Sequence, residues 1–575
     1  MNTFQRFTYR GLAMVSLASA MVLGTTSCSL DRDPPLNELT TVQVYKDPAN
    51  YPKLLAKLYA GLVLTGMGPK DGFEPRDISL SDGGATSFSR ALWKMQELTA
   101  DHAAVAWPDP GLPDLNTTTL TTANTFVQAM YVRIFFEIGL CNEYLRNTTD
   151  EKLTEFGISG ANADRAREYR NDARFLRALS YYYAIDMFGN VPFVTENDPV
   201  AYFLPKQIST DFQAGRTGLF NYVESELKAI EASAPPAPQY GRMGQAAVQT
   251  LLAHLYLNAE TWTLTPRYTE AATYAKRVID NGLGADNDGR LALCEQPGAE
   301  MSAYQTLFAT DNGQNPATRR EIIFPIACDG LRSQSYGGTT FLVNASTGGP
   351  FSGRLKGVGG WGGIRAKLQL PLLFADTITL AAGVGPDKRG EFYQGTGPTA
   401  ATFRVGALNQ FRNGVGVWKW TNLASTSTTA MPVRGSDPGN TFPDTDIPLF
   451  RLGEVYLTYA EAAMRGGGDQ ALALDLVNRL RRRAYGTPTN TPNASADLTS
   501  LTLDQLLDER GRETYWECYR RTDLIRFGKF TGGTYNWTWK GNTELGRALP
   551  DHFRVFPLPA SDLAVNPSLV QNPGY

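Results

Sequence analysis

The sequence predicts an all-α fold: a scaffold of paired helices carrying one long, loop-rich and partly β insertion. Three observations predict it. Helical periodicity dominates both ends of the chain. The predicted helices fall into pairs joined by short turns. Between the helical blocks, residues 282–448 are rich in Gly, Asn, Thr and Pro and show few helical patterns.

Residues 51–64, 122–146 and 164–188 read as the first helices. In the third, Leu176, Leu179, Tyr183 and Met187 share one face, while Phe175, Ala178 and Tyr182 line the next. That helix is therefore expected to be buried on more than one side. Gly189-Asn190, followed by Pro192, stops it. Residues 218–232, 245–259 and 267–281 form a second block, in which 245–259 and 268–278 read as a helix hairpin across a connection containing Pro266. A third block holds 452–465 and 470–484, split by Gly466-Gly467-Gly468, and then one last helix over 503–527 that ends at Gly528. Paired helices of this length with short turns resemble tetratricopeptide-like units, although their spacing is irregular. Within the insertion, the apolar stretches 322–327 and 341–343 read as strands.

The first residues are basic (Arg6, Arg10), and an uncharged, mainly apolar run follows over 11–26. That is the layout of a secretory signal. Cys28 closes it and suggests a lipoprotein cleavage site, which makes residues 1–27 a signal peptide. Residues 28–40, with Asp31, Asp33, Pro34 and Pro35, read as a lipidated tether, and 41–575 as one domain. Its irregular segments, 71–113 and 282–448, are the places where a ligand would bind, because long ordered loops usually carry function. No second apolar run reaches 18 residues, so the body is expected to be soluble. Net charge is −3, from 54 Lys+Arg and 57 Asp+Glu, which does not suit a nucleic-acid partner. Beyond Cys28, the isolated cysteines Cys141, Cys294, Cys328 and Cys518 do not form a disulfide framework, though Cys294 and Cys328 flank one irregular stretch and are able to pair.

Signals for catalysis are weak. His102, His254 and His552 are far apart and lack metal-ligand spacing; His254, in an apolar helix, reads as a packed core histidine. There is no G-x-S-x-G elbow and no Walker loop. Gly357-x-Gly359-x-x-Gly362 matches a dinucleotide fingerprint in letters only, since it follows Arg354-Leu355-Lys356 rather than a buried strand. Glycoside hydrolysis needs only two carboxylates, and Glu513 and Glu517 lie four apart on the predicted last helix, with Glu517 also spaced to pair with Arg521. But Arg510, Arg512, Arg520, Arg521 and Arg526 crowd them, and neighbouring guanidiniums lower a carboxyl pKa where a general acid needs it raised. The cluster reads as structural.

The loop segments suit a ligand better. Asp82, Arg90 and Trp107 lie in 71–113, Tyr336 and Trp361 in the insertion, and Arg365 just after. Trp361 stands between Gly359-Gly360 and Gly362-Gly363, so no neighbouring side chain buries it locally. A flat ring suits the apolar face of a pyranose. A ring covering roughly 100 Å² contributes about 2.5 kcal/mol before costs, so two or three rings give micromolar to millimolar capture once association is included.

These segments also resemble a family. Ala173-Arg174-Phe175-Leu176-Arg177-Ala178 with Phe188-Gly189-Asn190-Val191-Pro192, Asp446-Ile447-Pro448-Leu449-Phe450-Arg451-Leu452, Glu509-Arg510-Gly511-Arg512-Glu513 through Arg526-Phe527-Gly528-Lys529, and the closing Phe556-Pro557-Leu558-Pro559 through Asn572-Pro573-Gly574-Tyr575 look like four ordered signatures of the SusD/RagB family. The resemblance implies about four tetratricopeptide-like helix pairs and no enzymatic activity or cofactor. It implies an outer-membrane, lipid-anchored protein facing the cell exterior that binds glycan and works with a SusC-like TonB-dependent transporter. The segments 321–347 and 361–366 look like those of the starch-binding member. On that register Tyr336, Trp361 and Trp107 are platforms for starch or malto-oligosaccharides, and Asp82, Arg90 and Arg365 supply polar contacts. By the same analogy Asp311 and Asp446 are candidate calcium ligands. The competing expectations are another glycan, a peptide-binding helical repeat, or a glycoside hydrolase.

Overall fold

Eight helices of eleven or more residues form the framework among the described residues: Thr125–Asn147 (α1), Gly160–Phe188 (α2), Phe212–Glu231 (α3), Gln245–Leu257 (α4), Tyr268–Asn281 (α5), Leu452–Ala462 (α6), Gln470–Ala484 (α7) and Leu503–Thr514 (α8). The computed structural model describes residues 40–66, 76–78, 80, 83–200, 202–351, 360–375, 385–394, 402–428 and 435–575. The leader, Cys28, nearly all of the tether and Asp82 lie outside them. Each helix packs on the next in chain order: α1 on α2, α2 on α3, α3 on α4, α4 on α5, α5 on α6, and α6 on both α7 and α8. The contact of α5 with α6 spans the whole insertion. The result is a mostly helical, tetratricopeptide-like scaffold.

Local sequence explains the helix ends. The Asn124 side chain accepts from the N–H groups of Phe126 and Val127 at 3.1 Å each, Asp211 accepts from Ala214, and Asp469 from Ala471 and Leu472. Thr502 and Gln505 close a reciprocal capping box on α8. Each cap contributes on the order of 1 kcal/mol. α2 ends where Gly189 turns to φ +71°, a backbone that glycine adopts without strain. From 175 to 188 every residue of α2 is buried, as its two apolar faces predict.

A strand pair joins residues 322–326 of the insertion to its C-terminal end. Ile322–Ile326 (β2) runs antiparallel to Ile447–Arg451 (β4), which leads directly into α6. A second pair, Ala103–Val105 (β1) with Ile364–Ala366 (β3), ties the loop-rich 83–113 segment to the middle of the insertion.

Two expected elements differ. The apolar run 341–343 lies in a helix, Gly338–Ala345, rather than a strand. Three apolar residues fit either state, and here the helix's last carbonyls find partners in the 361–363 backbone. The single helix expected over 503–527 is broken: α8 stops at Thr514 and Arg520–Arg526 starts anew. Trp516 and Cys518 take φ values of +60° and +71° in the break. Glu517 leaves the helical path to bind Arg451 (2.6 Å) and Lys419 (2.5 Å), both fully buried. Its expected pairing with Arg521 does not form; Arg521 donates to the carbonyls of Phe553 and Arg554.

Candidate functional site

The two carboxylates weighed as a catalytic pair belong to a buried ion network. Glu513 pairs with Arg451 (2.7 Å), Arg389 (2.9 Å) and Arg483. Burial alone would raise the Glu513 pKa, but these three guanidiniums outweigh it and hold the carboxyl well below the usual range. A carboxyl held that low is unsuited to act as a general acid. His254 is a core residue: Nε2 lies 2.6 Å from the Glu454 carboxylate. All four body cysteines are free, so Cys294 and Cys328 do not pair; Cys294 Sγ lies 3.4 Å from Thr306 Oγ1 and Cys328 Sγ 3.8 Å from the Ile326 carbonyl.

The aromatic candidates converge. Trp107 and Trp361 have ring centroids 6.5 Å apart with planes at 42°, and Trp361 and Tyr336 are 6.0 Å apart at 53°. The three rings are consecutive neighbours, and all three residues are half-buried. Backbone pairing places them. In the β1–β3 ladder Val105 faces Ile364, and the Ala106 N–H continues the ladder to the Gly363 carbonyl at 2.9 Å. Trp107 and Trp361 therefore leave the same end of one two-stranded ribbon. The N–H groups of Trp361, Gly362 and Gly363 then cap the end of the Gly338–Ala345 helix, bonding the carbonyls of Asn344 (2.7 Å), Thr347 (2.8 Å) and Ala345 (2.7 Å).

The glycines flanking Trp361 have distinct tasks. Gly360 and Gly362 adopt φ +85° and +63°. Gly363 lets the Trp107 indole lie on the backbone, since a Cβ there would stand 2.4 Å from its Cε2 and Cζ2. Gly84 does the same for Tyr336, whose Cβ would be 2.4 Å from an added methyl.

Arg90 sits behind the rings. It is 7% exposed, its guanidinium lies 4.6 Å from the Phe341 ring centroid and 5.8 Å from that of Trp107, and Nη1 donates to the Tyr336 carbonyl at 3.2 Å. Arg365 departs from the expected polar contact. It is fully buried and donates to the carbonyls of Asn413 (2.8 Å), Ala407 (3.3 Å) and Leu408 (2.6 Å), so it holds a protein loop rather than facing outward. In β3 Arg365 stands opposite Ala104, and its side chain crosses to the 407–413 loop, whose carbonyls take its donors. Sequence reading missed two supports, Phe341 under Trp107 (6.1 Å) and Phe442 beside Tyr336 (5.1 Å). Phe442 lies 106 positions from Tyr336 in the chain, and no spacing signal joins them.

The candidate calcium ligands are engaged within the protein. Asp311 accepts from the Ser425 N–H and hydroxyl at 2.8 and 2.6 Å. Asp446 accepts from the Cys328 N–H (2.7 Å) and the Tyr240 hydroxyl (2.8 Å). Among the described residues no group of three or more His, Cys, Asp or Glu side chains gathers as a metal site, and no helix is long and apolar enough to cross a membrane.

A helix-pair scaffold with an irregular insertion that brings three rings side by side defines a helical-repeat protein with an aromatic cluster. The chain belongs to the SusD family. Residues 409–575 match the SusD family model. The starch-binding protein SusD of Bacteroides thetaiotaomicron is 32% identical over 606 aligned positions, covering 98% of each chain. The SusD-like protein P25 of Formosa agariphila is 25% identical over 70% of this chain and 72% of its own. Among solved structures, a SusD-like protein of Bacteroides fragilis superposes with a TM-score of 0.65 at 18% identity, over 94% of this chain and all of its own. A laminarin-binding SusD-like protein does so with 0.62 at 18%, over 92% and 99%. At such identities these structures establish the fold.

Proposed function

We propose that this chain captures starch or malto-oligosaccharides on the Trp107–Trp361–Tyr336 face. It delivers them to a SusC-like TonB-dependent transporter while anchored in the outer membrane, facing outward, by lipid on Cys28. The observation that carries the reading is the ring arc itself. Neighbouring planes are tilted by 42° and 53° rather than lying in one plane, which suits the curved face of a coiled α-glucan better than an extended ribbon. The starch-binding relative, similar over almost the whole chain, supports the same substrate. Arg90 braces the arc by holding the Tyr336 carbonyl and lying under Trp107, and Asp82 adds a polar contact from outside the described residues. The protein works by capture: the arginine-bound Glu513 is not a general acid.

Affinity electrophoresis tests this. Retardation in gels containing starch, and none in gels containing laminarin or no polymer, is the expected result. Retardation by a β-linked glycan alone would overturn the substrate, and release of reducing sugar from maltoheptaose would overturn the non-catalytic reading. Trp361→Ala should weaken maltoheptaose binding at least about tenfold in calorimetry, the loss of a ring worth roughly 2 kcal/mol, with an unchanged melting temperature.

A further inference from the structure

The β3 strand has two neighbours. One edge pairs with β1. The other meets residue 415, where Ala366 and Val415 exchange N–H···O bonds of 2.8 and 3.3 Å. Between these contacts, Arg365 reaches across to the 402–414 loop. Its guanidinium gathers three carbonyls from that loop, those of Ala407, Leu408 and Asn413, and no carboxylate pairs with it among the described residues. The Asn413 side chain closes the same loop by accepting from the Ala407 N–H at 3.1 Å. Gly414 (φ +124°) lets the loop pass close by: a Cβ there would stand 2.7 Å from Arg365 Cγ. In that loop Phe411 sits edge-on to Phe351, with centroids 4.9 Å apart and planes at 81°. Its ring also faces the residue that follows Trp361, since a Cβ on Gly362 would lie 3.3 Å from Phe411 Cδ1. A buried guanidinium without a counter-charge is costly, and here its donors serve one loop only.

We infer that Arg365 and Phe411 are positioning residues for the aromatic face: Arg365 locks the 407–413 loop, and the locked loop presses Phe411 against Gly362, which sets the angle Trp361 makes with Trp107 and Tyr336. Neither residue touches the ligand. This assigns Arg365 a task the sequence did not suggest and adds Phe411, which the sequence did not single out. The inference rests on the proposed glycan face, but its first test does not.

Trp107 and Trp361 are close enough for their indole transitions to couple, so beside the contribution of the closer Trp93–Trp516 pair at 5.2 Å the ligand-free protein should show a second exciton band in far-ultraviolet circular dichroism, the one that Trp361→Phe removes. Phe411→Ala is expected to lose at least about half of that band and to weaken maltoheptaose binding about fivefold, as a supporting shell loosened by a fraction of an ångström does, while its melting temperature stays within about 3 °C of wild type. Arg365→Lys, which reaches fewer carbonyls, should fall between wild type and Arg365→Met on both readouts. An undiminished band with wild-type affinity in Phe411→Ala would overturn the inference. Weakened binding with an undiminished band would overturn it too, by making Phe411 a ligand contact. If the wild type binds no α-glucan, the proposed function fails, and the ligand-free band still decides whether Phe411 sets the ring geometry.

Discussion

At the scale of single residues, glycines shape the aromatic face as much as the aromatic residues do. Gly363→Ala forces a methyl to within 2.4 Å of the Trp107 indole, and the contact is with the ring itself, which has no flexible end to move aside. The variant should lose α-glucan affinity about as severely as Trp361→Ala, a drop of roughly tenfold, and calorimetry beside a thermal melt would separate ring displacement from unfolding. Asp446 makes a different prediction. Burial raises its pKa to about 7, against the hydrogen bonds from Cys328 and Tyr240 that lower it. An acid whose pKa rises on folding holds its proton in the folded chain between about pH 4 and pH 7, where the unfolded chain has released it. The unfolded state then binds fewer protons, so stability falls as pH climbs through that window, by up to about 1.4 kcal/mol per pH unit, and this group adds no slope beyond it. Urea titrations of Asp446→Asn between about pH 4 and pH 8 should show a flatter profile than wild type; parallel profiles would mean that Asp446 is ionised throughout.

At the scale of elements, the broken helix after Thr514 shows tertiary electrostatics overriding local propensity. Residues 503–527 carry a helical pattern, yet Trp516 and Cys518 occupy left-handed backbone, at a cost of order 1 kcal/mol or more each. The break brings Glu517 to Arg451 and Lys419, two buried cations that join the end of the insertion to the scaffold. Removing one member of a buried network leaves its partners charged and unpaired, so Glu517→Gln should destabilise the protein by about 3 kcal/mol in chemical denaturation. A loss under about 1 kcal/mol would mean that solvent or neighbouring carboxylates take over the pairing. The strand pairs make the complementary point. β1 and β3 are three residues each, too short to stand alone, yet they set where both tryptophans begin because the scaffold buries them.

At the scale of the whole molecule, the aromatic face and the proposed anchor are separate devices on one chain. The helices pack in chain order without the insertion, and the rings are held within the insertion and the 83–113 segment. Cys28→Ala should therefore leave maltoheptaose affinity of the purified domain unchanged while abolishing retention at the cell surface, read by protease shaving or surface labelling of intact cells. A variant still retained at the surface would refute the lipid anchor.

The scaffold could be read from the sequence because helices announce themselves locally: 3.6-residue periodicity, Asn, Asp and Thr caps, and the glycine stop at 189 are properties of neighbouring residues. So could the ring candidates, since Trp361 among glycines is a local oddity. What required the folded chain was every relation between distant residues. Phe442 behind Tyr336, the turn of Arg365 away from the face, the break that delivers Glu517 to Arg451, and the helical state of 341–343 all follow from partners about 15 to more than 100 positions away. Such contacts leave no periodic trace in one sequence, because the free energy that selects them arises only when packing removes both partners from water.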